Sequence, residues 1–147
     1  MKPAIILLID DNHMDIELVL LAIAGLEVNY EVQTAHSGYE ALDYLFGRAK
    51  FADRSRFPLP DIVLLDLKMP GLDGHEVLRR VKTTPGLKRL PVIIFTSSKE
   101  DIDRANCYDS GANSYVVKPL LLEELQTIMK QIETYWLDLN IGPPTMP

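Results

Sequence analysis

Five short runs of strand-like residues, separated by segments of helical periodicity, constrain this chain more than any other feature. Ala4–Ile9, Ile62–Leu65 and Val92–Phe95 are continuous apolar runs, too short for helices, as expected of strands buried on both faces. Tyr30, Val32 and Thr34 alternate with polar residues and predict another strand, and Ser114–Val117 predicts the last. Between them, Met14–Ala24 has helical spacing, with Asn12 as N-cap and Gly25 just past its end. Ser37-Gly-Tyr-Glu40 reads as a capping box opening a helix to about Phe46. Gly74–Lys82 is helical up to Thr84-Pro85-Gly86. Ser97-Ser-Lys-Glu100 reads as a second capping box before a helix over Ile102–Ser110, which Gly111 terminates in a left-handed conformation. A last helix starts near Leu121, with Leu125, Ile128, Ile132, Trp136 and Leu139 on one stripe.

Strands alternating with helices imply an α/β fold: a five-stranded parallel sheet, doubly wound, with helices on both faces. The 147 residues suit one domain over residues 1–139, with a flexible tail over 140–147 and no output domain after it. Residues 47–60 are expected to form a long surface loop with room for a helical turn of its own. A net charge of −6 argues against nucleic acid or an anionic membrane as partner. Cys107 is the only cysteine, which excludes an intrachain disulfide and a thiolate zinc site and suits a reducing cytoplasm. The apolar run before Asp10 is too short for a signal segment or a membrane span.

In doubly wound sheets the ligand crevice lies beyond the carboxyl ends of the strands. The residues there are Asp10, Asp11, Asp66, Thr96, Ser97 and Lys118. Three converging carboxylates repel one another, and a hard divalent cation such as Mg²⁺ relieves that repulsion. Asp66 would then be a nucleophile toward phosphorus, Thr96 a hydroxyl donor to a phosphoryl oxygen, and Lys118 a mobile point charge. A cis Lys118–Pro119 bond is expected to aim the lysine into the crevice.

Ile9-Asp10-Asp11, Leu65-Asp66-Leu-Lys-Met-Pro-Gly71 with Gly74, Phe95-Thr96-Ser97 and Tyr115-Val-Val-Lys118-Pro119 together resemble the response-regulator receiver family, over about residues 4–138. The resemblance implies a flavodoxin-like receiver with strand order 2-1-3-4-5. It implies Asp66 as phosphoacceptor, with Asp10, Asp11, Asp66 and the Lys68 backbone carbonyl holding Mg²⁺. It also implies Thr96 as switch hydroxyl, Tyr115 as rotamer switch, Lys118 as phosphate sensor and a sensor histidine kinase as donor. Two departures from the commonest pattern are the long 47–60 segment and the expected lack of an output domain. With Phe57-Pro-Leu-Pro60 and Tyr135-Trp136-Leu137, they are similar to the single-domain regulators paired with bacterial phytochrome kinases.

Such a protein is expected to catalyse only its own phosphorylation and dephosphorylation. A phosphatase of the haloacid-dehalogenase type also uses an aspartyl phosphate. It wants a second Asp two residues after the nucleophile, and Lys68 stands there instead. A pseudo-receiver acting as a constitutive interaction surface is the third reading, and every phosphorylation residue is present against it. His13, His36 and His75 are expected in solvated or capping roles, and Arg79, Arg80, Lys82, Lys88 and Arg89 on a solvated face. Cys107, mid-helix without an activating neighbour, is read as structural. Tyr135, Trp136 and Leu137 are consecutive and cannot share one helix face, so some of them should stay outside as a homodimer contact.

Overall fold

In a computed structural model of the chain, residues 2–144 are described. The elements run β1 (Ala4–Ile9), α1 (His13–Ala24), β2 (Tyr30–Ala35), α2 (Gly38–Phe46), a 3₁₀ turn (Ala49–Phe51), β3 (Ile62–Leu65), α3 (Gly74–Thr83), β4 (Val92–Thr96), α4 (Asp101–Asp109), β5 (Ser114–Val117) and α5 (Leu122–Ile132). A π-helical extension, Glu133–Leu139, follows α5. All strands are parallel in the order β2-β1-β3-β4-β5. The parallel, doubly wound sheet is the one expected from the strand and helix pattern, and its order is the one the resemblance to receivers implied.

Period-two alternation splits each central strand between two cores. Leu7, Ile9, Val63, Leu65 and Ile94 face α2, α3 and α4. Ile6, Leu8, Ile62, Leu64, Ile93 and Phe95 face α1 and α5. Both faces of these strands are dry, which explains why they read as unbroken apolar runs.

Local signals acted where predicted, with one exception. Asn12 Oδ1 accepts from the Met14 and Asp15 amides at 2.9 and 3.2 Å and starts α1. Ser37 Oγ accepts from Glu40 N at 3.0 Å, and Gly47 closes α2 at φ 67°. The second capping box does not form: α4 starts at Asp101 with no side-chain cap. The Glu100 amide, which Ser97 would have capped, donates instead to Ser98 Oγ at 3.3 Å, and that hydroxyl in turn donates to Asp103 Oδ2 at 2.6 Å.

The 47–60 segment has its helical turn, and it is more than a surface loop. Phe51 is buried, with its ring 5.0 Å from those of both Tyr44, tilted, and Phe57, edge-on. Arg54 donates to the carbonyls of Tyr44, Leu45 and Phe57, satisfying the free end of α2. The last helix also differs from its predicted stripe. Leu125, Met129 and Ile132 are buried, and Trp136 and Leu137 pack partly on the same core. The wider π turn then rotates Leu139 out to 70% exposure. The predicted tail over 140–147 extends, at residues 145–147, outside the described residues.

Candidate active site

Asp10 and Asp66 follow β1 and β3, adjacent strands at which the direction of winding reverses. Their amides continue the sheet ladder, Asp10 N to Ala35 O at 3.1 Å and Asp66 N to Ile9 O at 3.0 Å. The carboxylates therefore project from rigid strand ends. Asp11 is the next residue, and one oxygen from each of Asp10, Asp11 and Asp66 lies within 4.8 Å of the others. Asp10 and Asp66 are buried, and Asp11 is partly exposed. This oxygen donor set suits a hard divalent cation.

Gly74 shows how tightly the site is built. A Cβ there would lie 2.1 Å from the Asp66 carbonyl oxygen and 2.7 Å from Leu67 Cα. Only glycine lets the start of α3 lie against the backbone of Asp66, where Gly74 N donates to Leu67 O at 2.9 Å. Lys68 and Met69 line an adjoining cleft of about 440 Å³ with Asp73, His75 and Asp103. The Lys68 side chain is exposed.

Lys118 reaches across the crevice. Its Nζ donates to Asp10 Oδ2 at 2.6 Å, Asp15 Oδ2 at 2.9 Å and Asp66 Oδ2 at 3.2 Å. Burial alone would lower the lysine pKa, but the hydrogen bonds to Asp10 and Asp15 outweigh it and the net direction is upward. Burial raises the Asp10 pKa despite the Lys118 bond. The expected cis Lys118–Pro119 bond is absent, for no cis peptide occurs among the described residues. In the trans form, with Lys118 N on Thr96 O at 2.8 Å, the flexible stem already brings Nζ to the carboxylates.

Thr96 is fully buried at the end of β4, and its Oγ1 accepts from Ser98 N at 3.5 Å. The half-buried Tyr115 donates its hydroxyl to Ser98 O at 3.0 Å. Ser98 thus meets both expected switch residues, and its Oγ holds Asp103, whose other oxygen is 3.1 Å from His75 Nε2. The Ser98 bond, then the His75 contact, lower the Asp103 pKa. His75 is consequently a tether between α3 and α4, not in the solvated or capping role expected. His13 and His36 stack on each other at 4.9 Å.

The basic cluster divides similarly. Arg79 and Arg80 pair with Glu76 on the surface. Lys82 instead binds the Lys88 and Leu90 carbonyls and Asn113 Oδ1, and burial lowers its pKa. Cys107 is fully buried and its thiol is pushed up to about 11 by burial, consistent with a structural role. Asp15 escaped the sequence reading. Its signal was available: it sits one helical turn after Asp11, on a helix that opens directly from the acidic pair.

A parallel 2-1-3-4-5 sheet with an acidic triad, a hydroxyl and a lysine at its carboxyl edge defines a receiver domain. Residues 6–130 match the response regulator receiver domain, and the chain belongs to that family. It is 38% identical over 141 residues to a probable methanogenesis regulatory protein, FilR2, of Methanothrix harundinacea, covering 96% of this chain and 88% of that one. The crystal structure of the phosphorylated cyanobacterial phytochrome response regulator RcpA superposes with a TM-score of 0.88 at 38% identity, covering 97% and 99% of the two chains. The Mn²⁺-bound form of response regulator Rcp1 superposes at 0.84 and 32% identity, covering 97% and 100%. Rcp1 is a protein of Synechocystis. Among the described residues no helix is long and apolar enough to cross a membrane.

Proposed function

We propose that this receiver domain is a phosphorylation switch that accepts a phosphoryl group on Asp66 from a phosphohistidine of a sensor histidine kinase, possessing the site of the phytochrome-linked regulators it resembles. The observation that carries this reading is the convergence of the Asp10, Asp11 and Asp66 oxygens beside the Lys118 ammonium. An Asp66 oxygen forms the P–O bond as the P–N bond to the donor imidazole breaks, and the imidazole leaves. Lys118 offsets the negative charge of the group on Asp66. Mg²⁺, held by Asp10, Asp11, Asp66 and the Lys68 carbonyl, would supply further charge neutralisation at the phosphoryl oxygens.

The phosphorylated form signals through the loop after β4. A new dianion on Asp66 competes for the Thr96 hydroxyl, and Ser98 moves with it because Ser98 N binds Thr96 Oγ1. Ser98 O then alters its hold on Tyr115, so the rotamer of that ring reports the state of the site. Self-association through the last-helix region belongs to the same reading. Trp136 and Leu137 are half-buried in the core, which leaves Tyr135 and Leu139 as the exposed apolar contacts there. Tyr135 lines a groove with Leu26, so this contact lies on the α1 side of α5.

The test is phosphate-affinity electrophoresis after incubation with acetyl phosphate and Mg²⁺. A retarded, acid-stable and base-labile band in the wild type, absent in Asp66→Asn, is expected. Retardation that persists in Asp66→Asn would overturn the assignment. Hydrolysis of a phosphomonoester such as p-nitrophenyl phosphate would favour the phosphatase, and no modification at all the pseudo-receiver.

A further inference from the structure

Lys118 shares its ammonium among three carboxylates, and only two of them belong to the acidic triad. Asp10 and Asp66 are triad members with side chains 2% and 10% exposed; Asp15 is outside it and 36% exposed. Asp15 therefore stands on the rim of the pocket, on the solvent side of the lysine head. Its place is fixed by the start of α1, because Asn12 Oδ1 accepts from Asp15 N at 3.2 Å. Asn12 also donates its own amide to Asp10 Oδ1 at 2.9 Å. One N-cap residue thus sets the spacing of two of the carboxylates that Lys118 binds.

We propose that Asp15 is a positioning residue for Lys118, an anchor that keeps the ammonium at the rim when a divalent cation occupies the oxygens of Asp10 and Asp66. The inference rests on the metal-dependent reading of the pocket given above. An ammonium 2.6 Å from Asp10 and 3.2 Å from Asp66 competes with any cation for the same oxygens. Two positive charges in so buried a place repel. The lysine stem is flexible, and its head can retain the 2.9 Å bond to Asp15 while leaving the other two. Without Asp15 the displaced head would go to water, losing a charge-assisted hydrogen bond. Asp15 thereby lowers the cost of loading the metal and keeps Lys118 beside Asp66, ready for the phosphoryl group.

The experiment is calorimetric titration of Mg²⁺ into the full chain without phosphoryl donor, for wild type, Asp15→Asn, Lys118→Met and the double variant. Circular dichroism establishes that each is folded. Asp15→Asn is expected to weaken Mg²⁺ binding by about fivefold, part of the tenfold that one charge-assisted bond carries in a dry site, because Asp15 is partly exposed. In the Lys118→Met background the same change should cost less than about twofold, since its effect runs through the lysine. Asp15→Glu should recover part of the affinity. Equal affinity of wild type and Asp15→Asn would overturn the proposal. So would the same loss in both backgrounds, which would mark Asp15 as a simple negative charge near the metal. Failure of the wild type itself to bind Mg²⁺ would instead remove the reading of the pocket, and this inference with it.

Discussion

Replacing Lys118 with Met removes the ammonium that Asp10, Asp15 and Asp66 share and keeps a stem of similar length. At an effective dielectric of about 20, a pair of unit charges near 3 Å interacts by about 5 kcal/mol. Regaining the hydration of the ammonium in the unfolded reference offsets part of this, as in other buried pairs. Protonation sets a ceiling on the cost. Starting from an ordinary value of 3.8, Asp10 escapes its repulsion at neutral pH for about 4 kcal/mol, at about 1.4 kcal/mol per pH unit. The expected loss is therefore about 2–4 kcal/mol without metal. Mg²⁺ then takes the place of the missing cation and should bind the variant more tightly than wild type. At a hundred times its Kd it restores about 2.7 kcal/mol. Urea denaturation followed by circular dichroism, in EDTA and in excess Mg²⁺, measures both effects. A variant as stable as wild type in EDTA, with no greater gain from Mg²⁺, would refute the electrostatic picture of the pocket.

Three further outcomes follow from other parts of the molecule. Gly74→Ala forces a methyl against the Asp66 carbonyl and should cost about 2–4 kcal/mol, somewhat above ordinary overpacking, while slowing phosphorylation by acetyl phosphate. Phosphorylation at the wild-type rate would show that α3 can shift away without disturbing Asp66. Arg54→Ala removes three hydrogen bonds, two to the Tyr44 and Leu45 carbonyls at the end of α2 and one to Phe57 O, and should lower stability by about 2 kcal/mol, with faster amide exchange confined to α2 and the segment after it. Stability should also fall in alkali, because burial holds the Cys107 thiol up at about 11 and the Tyr30 hydroxyl up at about 12. Their unfolded counterparts lose protons first, from about 9 and 10, so each contributes a loss of up to about 1.4 kcal/mol per pH unit until its folded pKa is reached. Urea midpoints at pH 8, 10 and 11 test this, and a flat profile would contradict it.

Much of the fold was legible because sequence period and burial agree. Ala4–Ile9 and Ile62–Leu65 read as strands since both of their faces are dry, and the residue ending each run is a site carboxylate. Asp10, Asp66 and Lys118 were readable for the same reason: topology alone brings strand ends together. What escaped depends on tertiary contacts that no local pattern encodes. The Ser97–Glu100 signature resembles a cap, yet the Glu100 amide goes to Ser98 Oγ and not to Ser97, with Ser98 fixed by Asp103, itself held by His75 from a different helix. Phe51 and Phe57 lie among polar residues, and only the ring of Tyr44 shows that Phe51 is core and Phe57 packs against it. Leu139 left its stripe because the turn widens from α to π after Ile132, changing the period on which the stripe was counted. Lys118 did not need the cis bond assigned to it, since a flexible side chain reaches the carboxylates from a trans backbone.

The central claim is that Asp66 carries the phosphoryl group, and borohydride reduction tests it most directly. An acyl phosphate is reduced to the alcohol, so the phosphorylated residue becomes homoserine, whereas unmodified aspartates are untouched. Protein incubated with acetyl phosphate and Mg²⁺, reduced, digested and mapped by mass spectrometry should contain homoserine at position 66 and at no other aspartate. Omitting Mg²⁺ should abolish the conversion. Homoserine at Asp10 or Asp11, or unchanged Asp66 in protein shown to be phosphorylated, would contradict the assignment.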